Sequence, residues 1–471
     1  MADRTLAASL AGVALLAGCS FAPAYHAPAV PVPAAFRETG PWVDAAPADR
    51  LPRDGWWRVY GDATLDRLEP LVARANPDLA AAVARHDEAA ALFDEAHAAW
   101  LPTVGIGAET DRDRQSARRP LRGSGQPDVY ESNTLDAGLR YDVDLWGKVR
   151  NTVAAGRDDA QAAADDLVSV QLSLQARVAS TYFDLAGLDR EADSLAQTID
   201  AYRRAWQLTV SRHRGGLASG LDVSRAQTQL ALAQARASDI AARRALDEHA
   251  IAVLVGSSAS TFSLPAATVL PAVPSIPTGL ASTLLERRPD VAAAERRVAA
   301  ANARIGVARA AYFPDLSLGL DAGFQSDTFS PWLAAPNEIW SIGPRLATTL
   351  FDGGLRAAGV RHARAQFAEQ GASYRAVVLV AFREVEDDLA LLHRLGDESA
   401  QDDAARVAAR QSLALAMSRY RDGAVSYLDV VTAQTTELDT QIASLDVDAR
   451  RLQASVGLVR ALGGGWRDTR S

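Results

Sequence analysis

Two periodicities divide this chain. Over residues 135–145 the odd positions are Leu135, Ala137, Leu139, Tyr141, Val143 and Leu145, and between them lie Asp136, Gly138, Arg140, Asp142 and Asp144. Further on, Leu316, Leu318, Leu320, Ala322 and Phe324 alternate with Asp315, Ser317, Gly319, Asp321 and Gln325. Shorter partners run Val104-Ile106-Ala108 and Ile342-Pro344-Leu346-Thr348-Leu350. A period of two marks strands with one greasy and one polar face. The pattern predicts four of them, over about 101–111, 133–145, 315–325 and 340–351. A soluble sandwich and a transmembrane barrel both carry this signature. The connections 111–132 and 326–338 are long and polar, as the outer loops of a barrel are.

Elsewhere the spacing is helical. No proline interrupts the 68 positions from Gly147 to Arg214, a length of about 100 Å as one helix. Ala160, Ala164, Leu167, Leu174, Val178, Thr181 and Leu185 keep a heptad register, with Gln171 as a polar interruption. The series Ala226, Leu230, Ala233, Ala237, Ile240 and the series Ile442, Leu445, Ala449, Leu452, Val456, Val459 do likewise. Sustained a/d spacing predicts coiled-coil packing. A helix of about 100 Å exceeds the width of an ordinary compact domain.

The order of elements occurs twice. Arg212-His-Arg-Gly-Gly-Leu-Ala-Ser-Gly-Leu221-Asp222-Val223 returns 207 residues later as Arg419-Tyr-Arg-Asp-Gly-Ala-Val-Ser-Tyr-Leu428-Asp429-Val430. Pro77-Asp78 returns as Pro289-Asp290, and Ala99-Trp-Leu-Pro102 as Ala311-Tyr-Phe-Pro314, both at an offset of 212. Such self-similarity predicts two copies of one unit, 62–256 and 286–462, each running helix, two strands, long helix, turn, helix. A Pro-, Ser- and Ala-rich linker, 257–285, joins them, and 463–471 is a short tail.

The first residues read as an address. Arg4 precedes an apolar run of residues 6–16 that ends in Leu16-Ala17-Gly18-Cys19. The run is too short to span a bilayer, which takes about 20 residues, and has the form of a signal-peptide core. The ending resembles a lipobox, so 1–18 is expected to be removed and Cys19 to carry covalent lipid. Ser20 after it favours the outer membrane by the sorting rule of enteric bacteria. A secretory signal with an incidental cysteine is the alternative. Residues 19–61 then form a Pro- and Ala-rich strap.

Composition narrows the function. The 471 residues are 48% hydrophobic, which excludes wholesale disorder. A net charge of -9 argues against nucleic acid as a partner. Cys19 is the single cysteine, so neither an internal disulfide nor a cysteine zinc cluster can form. The chain carries no Gly-x-x-x-x-Gly-Lys loop, no His-Glu-x-x-His and no Gly-x-Ser-x-Gly. No catalytic residue, metal ligand or cofactor is therefore expected apart from the lipid, and the protein is not read as an enzyme.

Four strands cannot close a barrel, and hydrocarbon does not tolerate an open sheet edge. If these strands enter a membrane, several chains must contribute. At this point the sequence resembles the outer-membrane factors of Gram-negative tripartite efflux systems of the RND type, the TolC-like channels, in their NodT-type lipoprotein branch. Asp144-Leu-Trp-Gly-Lys-Val-Arg150, Leu284-Leu-Glu-Arg-Arg-Pro-Asp290, Ala310-Ala-Tyr-Phe-Pro314, Leu350-Phe-Asp-Gly-Gly354 and the paired Leu-Asp-Val turns carry the resemblance across nearly the whole mature chain. The family implies a mixed α/β homotrimer. Its twelve-stranded outer-membrane barrel continues into a coiled-coil tunnel through the periplasm. The implied role is a passive export conduit for drugs or other small solutes, handed over by an inner-membrane transporter and a periplasmic adaptor. A lipid-anchored periplasmic coiled-coil scaffold, and a protein-secretion conduit of the same architecture, stand as alternatives.

Candidate residues follow. Alternation places Glu109, Asp111, Asp136, Arg140, Asp142, Asp144, Asp321 and Arg345 on the polar face, where a lumen would gain net negative charge and favour cations. Plain solvation of a pore wall is the competing reading. Tyr141, Trp146, Trp332 and Trp340 stand near strand ends, as interfacial girdles or as ordinary packing. The turns 213–221 and 420–428 are the expected periplasmic tips, with Gly216 and Gly423 for reversal and Asp222 and Asp429 as N-caps. The resemblance makes Gly216, Leu221, Asp222, Val223, Gly423, Leu428, Asp429 and Val430 candidates for adaptor docking. It makes Arg419, Tyr420, Arg421 and Asp422 candidates for a gate. Arg112, Arg114, Arg118, Arg119 and Arg122 form a basic first outer loop.

Overall fold

The computed structural model describes residues 20–31, 36–38, 55–120, 123, 125–276 and 287–464. The signal segment, Cys19, Arg122, part of the linker and most of the tail lie outside them. Four strands form: β1 (Thr103–Arg114), β2 (Val129–Val143), β3 (Asp315–Ser326) and β4 (Glu338–Ala347). They make one antiparallel sheet in the order β1-β2-β3-β4. Its outermost strands, β1 and β4, each have one neighbour, so each leaves a row of ladder groups unpaired.

The strand limits differ from the hydrophobic pattern at both ends. β1 and β2 run on through Arg112↔Glu131 and Arg114↔Val129, beyond the apolar alternation. Ladder hydrogen bonds are made by backbone, so a polar stretch extends a hairpin as readily as an apolar one. β4 stops at Ala347 instead of reaching the predicted 351. Leu350 and Phe351 lie beyond the ladder and are about nine-tenths exposed, at 93% and 90%.

The helices are α1 (Ala63–Ala75), α2 (Pro77–Ala98), α3 (Lys148–Arg214), α4 (Gly220–Leu254), α5 (Pro289–Ala310), α6 (Leu355–Arg421) and α7 (Tyr427–Ala461). Lengths match pairwise: α2 and α5 have 22 residues, α3 and α6 have 67, α4 and α7 have 35. At 1.5 Å per residue the 67-residue helices are each about 100 Å long. Among the described residues no helix is long and apolar enough to cross a membrane.

The chain divides into two compact units, and each draws on both halves of the sequence. One contains the sheet, the strap to residue 29, and the segments 86–163 and 293–374. The other contains 30–85, 164–292 and 375–471. In the second unit α1 buries the stripe Leu65, Leu68, Glu69 and Val72, spaced as one helix face. A short 3-10 turn before it buries Trp56, Trp57 and Tyr60. Tyr60 meets the Phe183 ring at 4.9 Å and shares a 2.8 Å hydrogen bond with Ser455. The Tyr182 hydroxyl donates to Asp62, the N-cap of α1, at 2.8 Å.

That unit also fastens its linker. The Arg244 guanidinium donates to Asp189 at 2.6 Å and to the Leu264 carbonyl at 2.9 Å. The Ala267 amide donates to the same Asp189 carboxylate at 2.8 Å. A second knot centres on Arg288, which is buried. It grips Asp290 with two donors, at 3.0 and 2.6 Å, reaches Glu384 at 2.7 Å, and donates to the Ala461 carbonyl at 3.0 Å. The Arg288-Pro-Asp290 segment is thus the rivet between the end of α7 and the middle of α6.

Candidate functional site

Ladder partners point to the same side of a sheet, so the register assigns every residue to a face. Asp136 pairs with Gly107 and Gly323, Arg140 with Thr103 and Gly319, and Glu109 with Thr134. Asp321 pairs with Gly138 and Ser341, and Asp142 and Arg345 both pair with Ser317. Asp111 pairs with Ser132. All of these share one face. Its carboxylates outnumber its guanidinium groups, and the residues opposite them are glycine, serine or threonine. The Asp136 and Asp321 side chains reach across Gly107 and Gly138, 3.0 and 2.9 Å from where a Cβ would stand there.

The other face is apolar. Val104 pairs with Leu139, Ile106 with Ala137, Leu320 with both Leu139 and Ile342, and Trp340 with Ala322. In the single chain these side chains are uncovered: Ile106 is 81% exposed and Trp340 74%. Leaving such a surface in water is costly at about 25 cal/mol per Å². Arg112 and Arg114, assigned above to a loop, belong to β1 and stand on this face at its far end. Arg119 is held in the loop by Asp128 at 3.6 Å.

Asp144 departs from the expected lumen set. It lies past the end of β2, and its carboxylate accepts from the Val149 and Arg150 amides at 3.0 and 2.9 Å and pairs with the Arg150 side chain. It closes the first turn of α3, because amides there lack helical partners. Trp146 likewise packs: its indole donates to the Pro314 carbonyl at 2.8 Å. Phe313 lies between Trp146 and Phe21, with centroids at 4.9 and 4.4 Å. Arg309 donates to the Phe21 carbonyl and Asn302 to the Pro23 carbonyl, at 3.0 and 2.8 Å. The strap directly after Cys19 is therefore seated on α5. Nothing in the composition of the strap pointed to this seat; the aromatic at position 21 was its one trace.

The two tip turns are built alike. Gly216 and Gly423 have φ of 74° and 76°, where side chains clash and glycine does not. Gly216 and Leu217 donate to the His213 and Arg212 carbonyls at 3.0 and 2.7 Å, and Gly423 and Ala424 to Tyr420 and Arg419 at 3.1 and 2.8 Å. That pairing is the Schellman ending. The N-caps are Ser219 and Ser426, three residues before the aspartates named from the sequence. Asp222 and Asp429 instead occupy the third helical position and accept from the Ser219 and Ser426 amides at 3.1 and 3.0 Å. This is a capping box, whose Ser-x-x-Asp spacing was present in the sequence.

At the tip, Tyr420, one of the gate candidates, is buried, at 5% exposed. It packs with Tyr427, Val430 and Ala226, and the Arg212 guanidinium lies 4.7 Å from its ring. Arg212 also donates to the Tyr420 and Arg421 carbonyls at 3.1 and 3.3 Å, closing the end of α6. Val430 is fully buried in the same cluster and so offers no docking surface, because its apolar side chain completes that core. Leu221 and Leu428 are 58% and 47% exposed. Val223 is half-buried, and Arg419, Arg421 and Asp422 are exposed.

The chain matches the family model "Outer membrane efflux protein" twice, over residues 70–257 and 280–464. It is 31% identical over 459 residues to the outer membrane protein OprJ of Pseudomonas aeruginosa, covering 97% of this chain and 95% of that one. It is 30% identical over 455 residues to the toluene efflux pump outer membrane protein TtgC of Pseudomonas putida, covering 96% and 94%. Among solved structures, the outer-membrane channel OprN aligns with a TM-score of 0.88 at 28% identity, over 95% of this chain and 100% of that one.

Proposed function

The chain belongs to the outer membrane efflux protein family and is an outer-membrane efflux channel, and from that premise we propose that three copies share one conduit. The family is one of transport conduits and not of enzymes. In this reading the sheets of three chains join edge to edge into a twelve-stranded barrel. Its apolar face meets lipid and its polar face, with Glu109, Asp136, Arg140, Asp142, Asp321 and Arg345, lines the water-filled lumen. Lipid on Cys19 adds an anchor beside the seat of Phe21. The long helices of both halves, two copies of one unit, continue the conduit through the periplasm.

One observation carries the proposal: a four-stranded sheet whose two faces are segregated by chemistry and whose two edges are unpaired. Unpaired backbone groups in hydrocarbon cost several kcal/mol each, so each edge needs another chain. At the periplasmic end, exposed Leu221 and Leu428 offer apolar anchors to an adaptor, which brings drugs or other small solutes from an inner-membrane transporter. Arg419, Arg421 and Asp422 are free to pair between neighbouring chains and to hold the resting tip shut. Purified protein in detergent should contain three chains per particle and open cation-preferring pores in planar bilayers. Replacing Asp136 and Asp321 together by Asn should shift the reversal potential toward neutrality. Single chains that leave the bilayer impermeable would refute the conduit, and an unchanged reversal potential would refute the lumen assignment.

A further inference from the structure

Within the second compact unit, α3, α4 and α7 pack around Leu188, Leu195, Ile240, Leu438 and Ile442. Just beside this core they leave a cavity of about 400 Å³. Its floor is apolar, formed by Ile240, Ile442 and Ala443. Its walls are charged, with four carboxylates (Glu191, Asp239, Asp439, Asp446) against two guanidinium groups (Arg236, Arg243). Arg236 and Asp439 neutralise each other across α4 and α7 at 3.3 Å. Arg450 pairs with Asp446 at 3.4 Å from outside the cavity, so Arg243 is the remaining cation for Glu191 and Asp239.

Glu191 sets this cavity apart from an ordinary acidic surface. It is 7% exposed, lines the cavity, and makes no hydrogen bond or ion pair with any described residue. Burial holds its carboxyl above the usual range; Arg243 and Arg236 oppose the shift, while Asp446 and Asp184 add to it. A buried carboxylate without a partner is a costly arrangement unless something cationic visits it. A compact divalent ion is a poor fit, since among the described residues no three His, Cys, Asp or Glu side chains converge as metal ligands. The carboxylates are spread along an apolar floor, which suits a cation whose charges are themselves spread along an alkyl chain.

We propose that this cavity binds a linear aliphatic di- or polyamine, its methylenes on Ile240 and Ile442 and its ammonium groups on Glu191 and Asp239. An ammonium group carries donors only, and so satisfies acceptors that the protein leaves without a donor. The occupant touches all three helices and ties α4 to α7 beside the Arg236–Asp439 bridge. Nothing in the conduit reading requires it.

The test is calorimetric titration of the full-length protein in detergent with spermidine and with 1,4-diaminobutane. Saturable binding near one per chain is expected, with a rise in Tm on saturation. Glu191→Gln should weaken it at least tenfold. Asp239→Asn, which alters only an exposed group, should weaken it at least threefold and serves if Glu191→Gln does not fold. Asp397→Asn, on α6, should bind as the parent does, and uncharged 1,4-butanediol should not bind. The proposal is overturned if Asp397→Asn loses as much affinity as Glu191→Gln. It is also overturned if magnesium at equal ionic strength displaces the amine, or if neither wall variant changes binding.

Discussion

Glu69 occupies the middle of the buried face of α1, between Leu65, Leu68 and Val72, with no exposed surface. Neither of its carboxylate oxygens has a hydrogen-bond partner among the described residues. Burial alone pushes its carboxyl up from 4.5 to about 9, with no nearby charge contributing. The folded protein therefore holds a proton there at neutral pH that the unfolded chain releases. A group raised in this way leaves stability intact below its unfolded value and erodes it as pH climbs toward its folded one. From 4.5 to pH 7 the cost is about 3 kcal/mol per chain at about 1.4 kcal/mol per pH unit. Glu69→Gln keeps the shape and removes the titration. Its advantage over the parent should be about 1 kcal/mol at pH 5 and should grow by about 4 kcal/mol more by pH 8, read as a widening gap in Tm or denaturant midpoint. Both proteins would be followed in detergent by circular dichroism across that range. A gap of constant size, or a parent more stable at pH 8 than at pH 5 relative to the variant, would refute the buried neutral acid.

Three more outcomes follow from packing and charge. Arg288→Ala should cost about 3 kcal/mol, because it strands Asp290 without a cation and leaves Glu384 to Arg460 alone, and Arg288→Lys should recover only part, having no fork to grip Asp290 twice; thermal unfolding of the three proteins ranks them. Asp429→Ala should cost about 1 kcal/mol and raise hydrogen exchange at the Ser426 amide and the first turn of α7, while leaving the last turn unchanged. Asp422→Ala should raise single-channel conductance in planar bilayers if exposed charges hold the tip shut, and an unaltered conductance would discard that gate.

Much of the fold was legible because the two periodicities are strong and long. Period two located all four strands, and the unbroken run after Gly147 located a 67-residue helix. The ends were less legible. Arg112 to Arg114 extend β1 because their backbone finds Glu131 to Val129, a pairing that no side-chain pattern announces. Heptad spacing named one seam on α3, yet around Tyr182 to Asp189 nearly every side chain is buried. There the helix is covered by the 3-10 turn and α1 as well as by its coiled-coil neighbours, so a two-position repeat understates it.

The candidate site divides along the same physical line. Face assignments depend only on parity, and parity survives any error in where a strand begins. Glu109, Asp136, Arg140, Asp142, Asp321 and Arg345 therefore share a face as read, and only Asp144, just past the ladder, was lost to a cap. The tip depends on which way individual side chains turn within one helical turn, and parity says nothing of that. Tyr420 and Asp422 are two residues apart and were read alike, yet one is buried under Arg212 and the other faces solvent. On a helix two residues span about 200° of rotation, so neighbours of this spacing take opposite roles. A gate built at this level must use the exposed positions, Arg419, Arg421 and Asp422, while Tyr420 and Arg212 hold the turn from which they project.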